Sequence, residues 1–132
     1  MGLDMYLEGQ KFLAYIEEPD KQPIEDGYKV KERILELGYW RKHPNLHGYI
    51  VETFADGVDE CQAIDLTEEM LGQIIEAVKA RELPTTTGFF FGESCGSPDE
   101  IQRDVEIFEA ARKWLSTKED HIWKSVSYRA SW

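Results

Sequence analysis

The alternation of apolar and polar residues in the last eight positions is the feature that most constrains the fold. In "SVSYRASW", at 125–132, apolar side chains stand at every second position, with serine or arginine between them. This period of two is typical of a β-strand that has one face in a core and one face in water. The sequence therefore predicts a strand that runs to residue 132, with Tyr128 and Trp132 buried in a sheet.

The first sixteen residues show the same alternation and predict a β-hairpin. Gly9-Gln10 fits a two-residue turn that has glycine at its first central position. Such a turn would bring the apolar residues of both strands onto one buried face, so turn and pattern agree on the register. The predicted cross-strand pairs are Leu7 with Phe12, Met5 with Ala14 and Leu3 with Ile16.

The middle of the chain carries helical patterns. Pro44 fits the first position of a helix, because proline lacks the N–H group that this position leaves unpaired. Thr67 predicts an N-terminal cap for a helix whose apolar stripe covers 71–78. "SPDE" at 97–100 is a capping box that opens a further helix, with Pro98 at its first position.

Shorter segments predict the remaining elements. Residues 29–37 have apolar residues at helical spacing and Gly38 as a cap, but a strand is the alternative because the segment runs directly into two aromatic residues. The stretches 61–66 and 85–92 predict short strands. Together the patterns indicate one α+β domain over 1–132, in which about three to four helices pack on one face of a mainly antiparallel sheet.

The charge and composition exclude several classes of partner. With 15 basic and 26 acidic residues the formal net charge is −11, which disfavours nonspecific binding to nucleic acid and to anionic membranes. No apolar run approaches the ~20 residues of a membrane span, and the first ten residues lack the basic start and apolar core of a signal peptide. Two cysteines are too few for a disulfide framework. We therefore expect a cytoplasmic protein with reduced thiols.

No catalytic or metal-binding motif stands out. His43 and His47 could face one metal from a helix, but they do not form an HExxH motif, and Pro44 makes His43 a cap. Cys61 follows acidic residues, which predicts a small core residue of a strand rather than an activated thiol. Cys95 precedes a helix start, but its loop lacks the lysine of a P-loop. The acidic residues predict a solvated surface, with a divalent-cation site or mimicry of a polyanion as alternatives. The sequence specifies neither a metal nor a cofactor.

The hexapeptide "GYWRKH" at 38–43 is a candidate recognition site. One interpretation is structural, with both aromatic residues in the core and both cations in water. The other is a site for an anion or a nucleobase, because Trp and Tyr offer stacking faces, Arg offers a planar fork, and the following helix start adds free N–H groups. Aromatic and basic residues from later segments could complete this site. The predicted ligand-binding residues are Tyr39, Trp40, Arg41, Lys42, His43, His47, Phe90 and Arg129.

Five blocks of sequence carry a resemblance to a family. The blocks are "MGLDMYL" at 1–7, "GYWRK" at 38–42, "GVDEC" at 57–61, "TGFFFG" at 87–92 and "YRASW" at 128–132. As a set they resemble small bacteriophage and prophage proteins without a settled activity, over nearly the whole chain. The resemblance implies a phage source and an accessory role in the bacterial host.

A phage source implies interference with a host defence. We expect a non-enzymatic protein that binds a host defence protein or sequesters an anionic nucleotide-type ligand. The alternative is a small hydrolase or transferase that acts on a nucleotide. Binding is favoured because the sequence shows no pairing of a catalytic base with a nucleophile. Neither direct nucleic-acid binding nor a membrane is expected, and self-association is left open.

Overall fold

In the part of the chain that the structure describes, a four-stranded antiparallel sheet and three helices make up an α+β fold, as the sequence predicts. The computed structural model describes residues 3–84 and 96–131. The strands are β1 (Asp4–Leu13), β2 (Ile24–Glu25), β3 (Tyr28–Lys29), β4 (Glu32–Arg41), β5 (Ile64–Leu66) and β6 (Ile122–Ser131). The helices are α1 (Pro44–Phe54), α2 (Glu68–Lys79) and α3 (Pro98–Ser116), with a 3-10 turn at Pro19–Lys21. The sheet order is β4–β1–β6–β5, and β2 and β3 form a separate hairpin.

The predicted N-terminal hairpin is wrong, because residues 4–13 form one continuous strand. β1 pairs antiparallel with β4 on one side and with β6 on the other. Alternation along an unbroken strand places Leu7 and Phe12 on opposite faces. Leu7 is fully buried, whereas Phe12 is 43% exposed and Ile16, beyond the strand, is 86% exposed. β1 is therefore a central strand and not half of a hairpin.

Gly9 provides a close approach between a strand and a helix rather than a turn. A Cβ atom on Gly9 would lie 2.7 Å from Cη2 of Trp114, the indole of α3 that packs over β1. The backbone around Gly9 is paired on both sides, with Leu35 of β4 and Val126 of β6 opposite. Pairing on both sides satisfies the backbone hydrogen bonds of this extended segment, whereas a turn at Gly9 would leave it paired on one side only. A glycine that indicates a turn in the sequence is thus a packing position in the fold.

Residues 32–41 form β4, so the helix predicted over 29–37 is wrong and its strand alternative is correct. Gly38 is not a helix cap. It lies inside the strand beneath α3, where an added Cβ would be 2.6 Å from Cγ2 of Ile107. A β-bulge at Leu37 adds one residue to the pairing with β1. The bulge breaks the period of two, and this produces the helix-like spacing of apolar residues in the sequence.

The three helices begin where the sequence predicts. α1 starts at Pro44. The Thr67 hydroxyl accepts the N–H of Met70 at the start of α2, and the Ser97 hydroxyl accepts the N–H of Glu100 at the start of α3. Buried side chains of all three helices join those of the sheet in one core. The core therefore lies between the helices and one face of the sheet.

The C-terminal strand is confirmed through residue 131, whereas the strand predicted at 61–66 is shorter than expected. Tyr128 of β6 is 1% exposed, and Trp132 lies outside the described residues. Cys61 precedes β5, is exposed and has a φ of 57°. Its prediction as a core residue is wrong, because a left-handed backbone cannot continue a strand. The strand predicted at 85–92 and Cys95 also lie outside the described residues. Within 3–84 and 96–131, no helix is long and apolar enough to cross a membrane.

Candidate functional site

Three of the predicted ligand-binding residues, Tyr39, Arg41 and Arg129, lie on the face of the sheet opposite the helices, here called the outer face. Tyr39 and Arg129 flank Tyr6, whose ring centroid is 5.3 Å from that of Tyr39 and 5.2 Å from Cζ of Arg129. The Tyr39 hydroxyl donates a 2.6 Å hydrogen bond to Oδ1 of Asp4, and this contact raises the pKa of the Tyr39 hydroxyl. Tyr39 is thus part of a cross-strand cluster on the outer face and does not enter the core.

The two cations of "GYWRKH" are exposed, as its structural interpretation predicts. Arg41 ends β4 opposite Asp4, and alternation places it on the outer face with Tyr39. Arg41 forms no ion pair with any carboxylate in residues 3–84 and 96–131. Lys42 takes a left-handed φ of 57°, which ends the strand before α1. Phe90, also predicted for this site, lies outside the described residues.

Trp40 points the other way, into the core. It is 2% exposed and stacks on Phe108 of α3, with ring centroids 5.3 Å apart and planes 17° apart. Its indole Nε1–H donates a 2.7 Å hydrogen bond to Oδ1 of Asp104. The aromatic ring is therefore structural, and its polar edge fixes the orientation of a carboxylate that is only 1% exposed.

His43 connects the start of α1 to the same carboxylate. Its Nε2 lies 2.6 Å from Oδ2 of Asp104 and 3.0 Å from Oε1 of Glu100. Because Nε2 faces two carboxylate oxygens, we assign a proton to it, and it donates to them. Glu100 and Asp104 are one turn apart on α3 and so project from the same face of that helix. The side chains of His43, Glu100 and Asp104, here called the His43 cluster, offer three ligand atoms within 4.8 Å of one another.

The His43 cluster lies on the wall of a cavity of about 220 Å³. An imidazole and two carboxylates at a cavity wall can bind a divalent cation, or can transfer protons to a bound molecule. The cavity is bounded by the start of α1, the end of α2 and the start of α3. Among the described residues, its lining is formed by His43, Asn45, Val78, Arg81, Leu83, Gly96, Glu100, Ile101 and Asp104.

Arg81 brings a positive charge to this cavity. It follows α2 with a φ of 57°, and two backbone hydrogen bonds close the helix end, from Arg81 to Val78 (3.2 Å) and from Glu82 to Ala77 (2.9 Å). This pattern is the Schellman motif, in which glycine is the preferred residue at the left-handed position. Arg81 forms no ion pair with a carboxylate of the described ranges. An exposed guanidinium is thus held at the cavity by a backbone conformation that favours glycine.

His47 belongs to a second network on α1, separate from the cavity. Its Nδ1 lies 2.6 Å from the Tyr128 hydroxyl, and its Nε2 lies 3.0 Å from Oδ2 of Asp59. Burial, together with the charge of Asp59, raises the pKa of the Tyr128 hydroxyl well above its ordinary value. The hydroxyl therefore stays protonated at neutral pH. A Tyr–His–Asp series that resembles a catalytic arrangement here joins α1 to β6 and to the loop before β5.

The sequence indicates His43 as a candidate site residue, but not the residues that accompany it in the fold. Of these residues, Asp104 could have been recognised from the sequence, because it interrupts the apolar stripe of α3 between Ile101 and Phe108 at a position that faces the core. A carboxylate at such a position needs a buried partner. Glu100 belongs to the predicted capping box, and a divalent-cation site is an alternative that the sequence leaves open for the acidic residues in general. Arg81 has no local signal, because only the tertiary fold brings the end of α2 to the start of α1.

Comparisons of this chain with protein-family models, with curated proteins and with solved structures find no match. The fold and the site define a small α+β protein in which a cavity between the described helices carries an imidazole and two carboxylates on one wall. The resemblance to phage proteins stays a prediction.

Proposed function

We propose that the protein acts by binding, and that an anionic nucleotide-type ligand contacts Arg81 at the mouth of the cavity. The observation that supports this most directly is an exposed arginine without an ion pair to a described carboxylate, in a chain of net charge −11. Where acids outnumber bases this strongly, a guanidinium that lies on a concave surface and has no ion pair within the described residues is a group that an anion would contact. Its planar fork suits phosphate oxygens.

The size of the cavity limits how much of a ligand it encloses. At about 220 Å³ it is smaller than the roughly 300–1,000 Å³ typical of sites that bury a drug-sized molecule. One end of a nucleotide would enter, and the remainder would stay at the surface. The carboxylates of Glu100 and Asp104 repel a bare phosphate, so the anionic group lies beside Arg81 unless a cation accompanies it.

The biological role in this proposal follows the resemblance to phage proteins. A protein that sequesters a nucleotide signal in the cytoplasm of the bacterial host would interfere with a host defence without catalysis. The alternative, hydrolysis or group transfer on a nucleotide, is favoured by one observation. The His43 cluster places an imidazole and two carboxylates on the wall that a bound molecule would contact.

A panel of nucleotides tests the proposal. The protein is incubated with nucleoside mono-, di- and triphosphates and cyclic nucleotides, and what it retains is analysed after denaturation. Unchanged nucleotide supports binding, and product supports the catalytic alternative. No retention of any nucleotide overturns the proposed ligand and favours a protein partner.

Variants locate the contact. Loss of a charge-assisted hydrogen bond costs about 1.5–3 kcal/mol, so Arg81→Gly should weaken nucleotide binding roughly 10- to 150-fold. Its free energy of unfolding should change by less than about 1 kcal/mol, because glycine fits the left-handed position. Asp56→Gly is the matched control, since Asp56 also has a left-handed φ, of 51°, and does not line the cavity.

Arg41→Ala separates the cavity from the site predicted in "GYWRKH". If the ligand lies beside Arg81, this variant keeps wild-type affinity. A loss of affinity in Arg41→Ala together with normal binding by Arg81→Gly would place the ligand on the outer face and overturn the cavity site. In that case Arg41→Lys should recover only part of the affinity, because the planar fork is lost.

A further inference from the structure

We infer that the His43 cluster is a binding site for a first-row divalent cation, of the Zn²⁺ or Mn²⁺ type. His43 would coordinate through Nε2, Asp104 through Oδ2 and Glu100 through Oε1. The inference deepens the proposed function and rests on it only for what the cation then binds, since coordination by the three side chains is independent of any nucleotide.

The charges in the cluster call for a cation. One imidazole carries at most one positive charge, and it faces two carboxylates, of which Asp104 is 1% exposed and the Glu100 side chain 18% exposed. A buried carboxylate is costly unless its charge is compensated. The arginine at this cavity, Arg81, is an exposed residue at its mouth. A divalent ion between the carboxylates would balance the charge that His43 cannot.

The spacing of the donor atoms suits such an ion. Ligands about 2.1 Å from an ion are separated by about 3.0 Å at the right angles of an octahedral Mn²⁺ site and by about 3.4 Å at the tetrahedral angles of a Zn²⁺ site. Nε2 of His43 and Oε1 of Glu100 are already 3.0 Å apart. Nε2 and Oδ2 of Asp104 are 2.6 Å apart, so as the ion replaces the shared proton this pair must widen by about 0.4 Å for octahedral Mn²⁺ and by about 0.8 Å for tetrahedral Zn²⁺.

Each carboxylate is oriented by a second hydrogen bond. Oδ1 of Asp104 accepts the indole N–H of Trp40 at 2.7 Å, and Oε2 of Glu100 accepts the backbone N–H of Gly96 at 3.2 Å. In both residues the other oxygen is thereby directed at His43. Outer donors that fix the orientation of first ligands are a regular feature of metal sites.

The donor set selects the kind of ion, and the cavity leaves coordination positions open. Imidazole favours Zn²⁺ over Mg²⁺ and Ca²⁺, which prefer oxygen ligands alone, and the two carboxylates also suit Mn²⁺. Three protein ligands leave at least one position for water or for a phosphate oxygen. The cation would then attract the ligand group that the two carboxylates repel, and Arg81 would bind the same group from the mouth.

A purely structural role is the competing explanation. In that case the hydrogen bond between His43 and Asp104 only connects the start of α1 to α3, and Glu100 only caps its own helix. The protein would then bind no cation at this position, and neutralising Glu100 would have no more effect than neutralising another glutamate of α3.

Titration of metal-free protein with Zn²⁺ and with Mn²⁺ tests the inference, by calorimetry for both ions and by electron paramagnetic resonance for Mn²⁺. All variants carry His121→Gln, because the His121–Glu18 pair on the surface is a separate candidate for adventitious binding. The expected result is one ion per chain, bound more tightly for Zn²⁺ than for Mn²⁺. No saturable binding near one equivalent would overturn the site.

Glu100→Gln is the decisive variant and Glu106→Gln its matched control. Glutamine can still accept the Gly96 N–H, so the fold should be kept, while a charged ligand is lost. We expect affinity for Zn²⁺ to fall at least 10-fold in Glu100→Gln and to be unchanged in Glu106→Gln, which makes the same change of charge at an exposed position of α3. Equal affinities in the two variants would overturn the inference.

The cation site and the proposed ligand can fail separately. Stoichiometric binding of Zn²⁺ without retention of any nucleotide supports the site and overturns the ligand. Retention of a nucleotide that is unaffected by a chelator and by Glu100→Gln supports the ligand and overturns the site.

Discussion

Two histidines four residues apart at the start of α1 show how burial and hydrogen-bond partners determine the roles of single residues. Their spacing of four suggests a shared ligand, but His43 faces Glu100 and Asp104 whereas His47 lies between Tyr128 and Asp59. A neutral imidazole satisfies the second arrangement, with the tyrosine hydroxyl donating to Nδ1 and the Nε2–H donating to the carboxylate. Partners from β6 and from a loop therefore decide what His47 does, and no local pattern could show it.

Tyr128→Phe tests the second network. The change removes one hydroxyl from a buried hydrogen bond to His47 and leaves the ring in place. A buried group that loses its partner costs about 1–3 kcal/mol, so the free energy of unfolding in urea should fall by that amount. Binding of nucleotide and of Zn²⁺ should be unchanged, because the cavity lies elsewhere. An unaltered stability would show that the hydrogen bond contributes nothing net.

At the scale of elements, two glycines are placed where α3 crosses the sheet. Gly9 admits the Trp114 indole, and Gly38 admits Ile107 beside the Trp40 ring. In the sequence, Gly9 indicates a hairpin turn and Gly38 indicates a helix cap. Glycine permits turns and close contacts for the same reason, the missing Cβ, so local sequence cannot separate the two uses. Because β1 is paired on both sides, Gly9 does not form a turn and instead permits the close contact with α3.

The Gly9–Trp114 contact predicts a specific coupling. Gly9→Ala should lower the free energy of unfolding by about 1–3 kcal/mol, because the added Cβ overlaps the indole. In a Trp114→Phe background, which lacks the outer ring atoms, the same change should cost under about 1 kcal/mol. Urea unfolding of the four proteins gives the double-mutant cycle. An equal cost of Gly9→Ala in both backgrounds would show that Trp114 is not what the alanine meets.

At the scale of the molecule, β6 holds the sheet together. It pairs with β1 along ten residues and with β5 on its other edge, so that the last strand of the described chain lies between the first strand and β5. Tyr128 and Ala130 also belong to the core that the helices cover. Loss of this strand would therefore leave β1 with one partner and β5 with none in the described sheet.

Deletion of residues 128–132 should abolish soluble folding. Removal of one large buried side chain costs about 3–5 kcal/mol, and whole domains are stable by only about 5–15 kcal/mol. Circular dichroism and the melting transition of the truncated protein check this. Arg129→Ala is the control, since its 3.5 Å contact with Glu8 is half exposed and contributes at most about 1 kcal/mol. A truncated protein that melts like the wild type would contradict the role assigned to β6.

Local patterns determined a large part of this fold. The starts of α1, α2 and α3 follow from Pro44, from the Thr67 cap and from the Ser97 capping box, because caps satisfy backbone groups within a few residues of themselves. The strand at the C-terminus follows from an unbroken period of two. The α+β class follows from the two kinds of pattern together, since each element must bury its apolar face against another.

Long-range packing decided the rest. Whether residues 4–13 form a hairpin or one strand depends on their pairing with β4 and β6. Whether residues 32–41 form a helix or a strand depends on their pairing with β1, and the bulge in that pairing hides the strand pattern in the sequence. The candidate site depends on distance in space as well, because His43 meets Asp104 across 61 residues of chain and Arg81 reaches the cavity from the end of a different helix. The hydrogen bonds of a helix cap form within a few residues of sequence, whereas a buried charge contacts its partner only in the folded chain. For this reason the sequence by itself indicated His43 but not the carboxylates that it contacts.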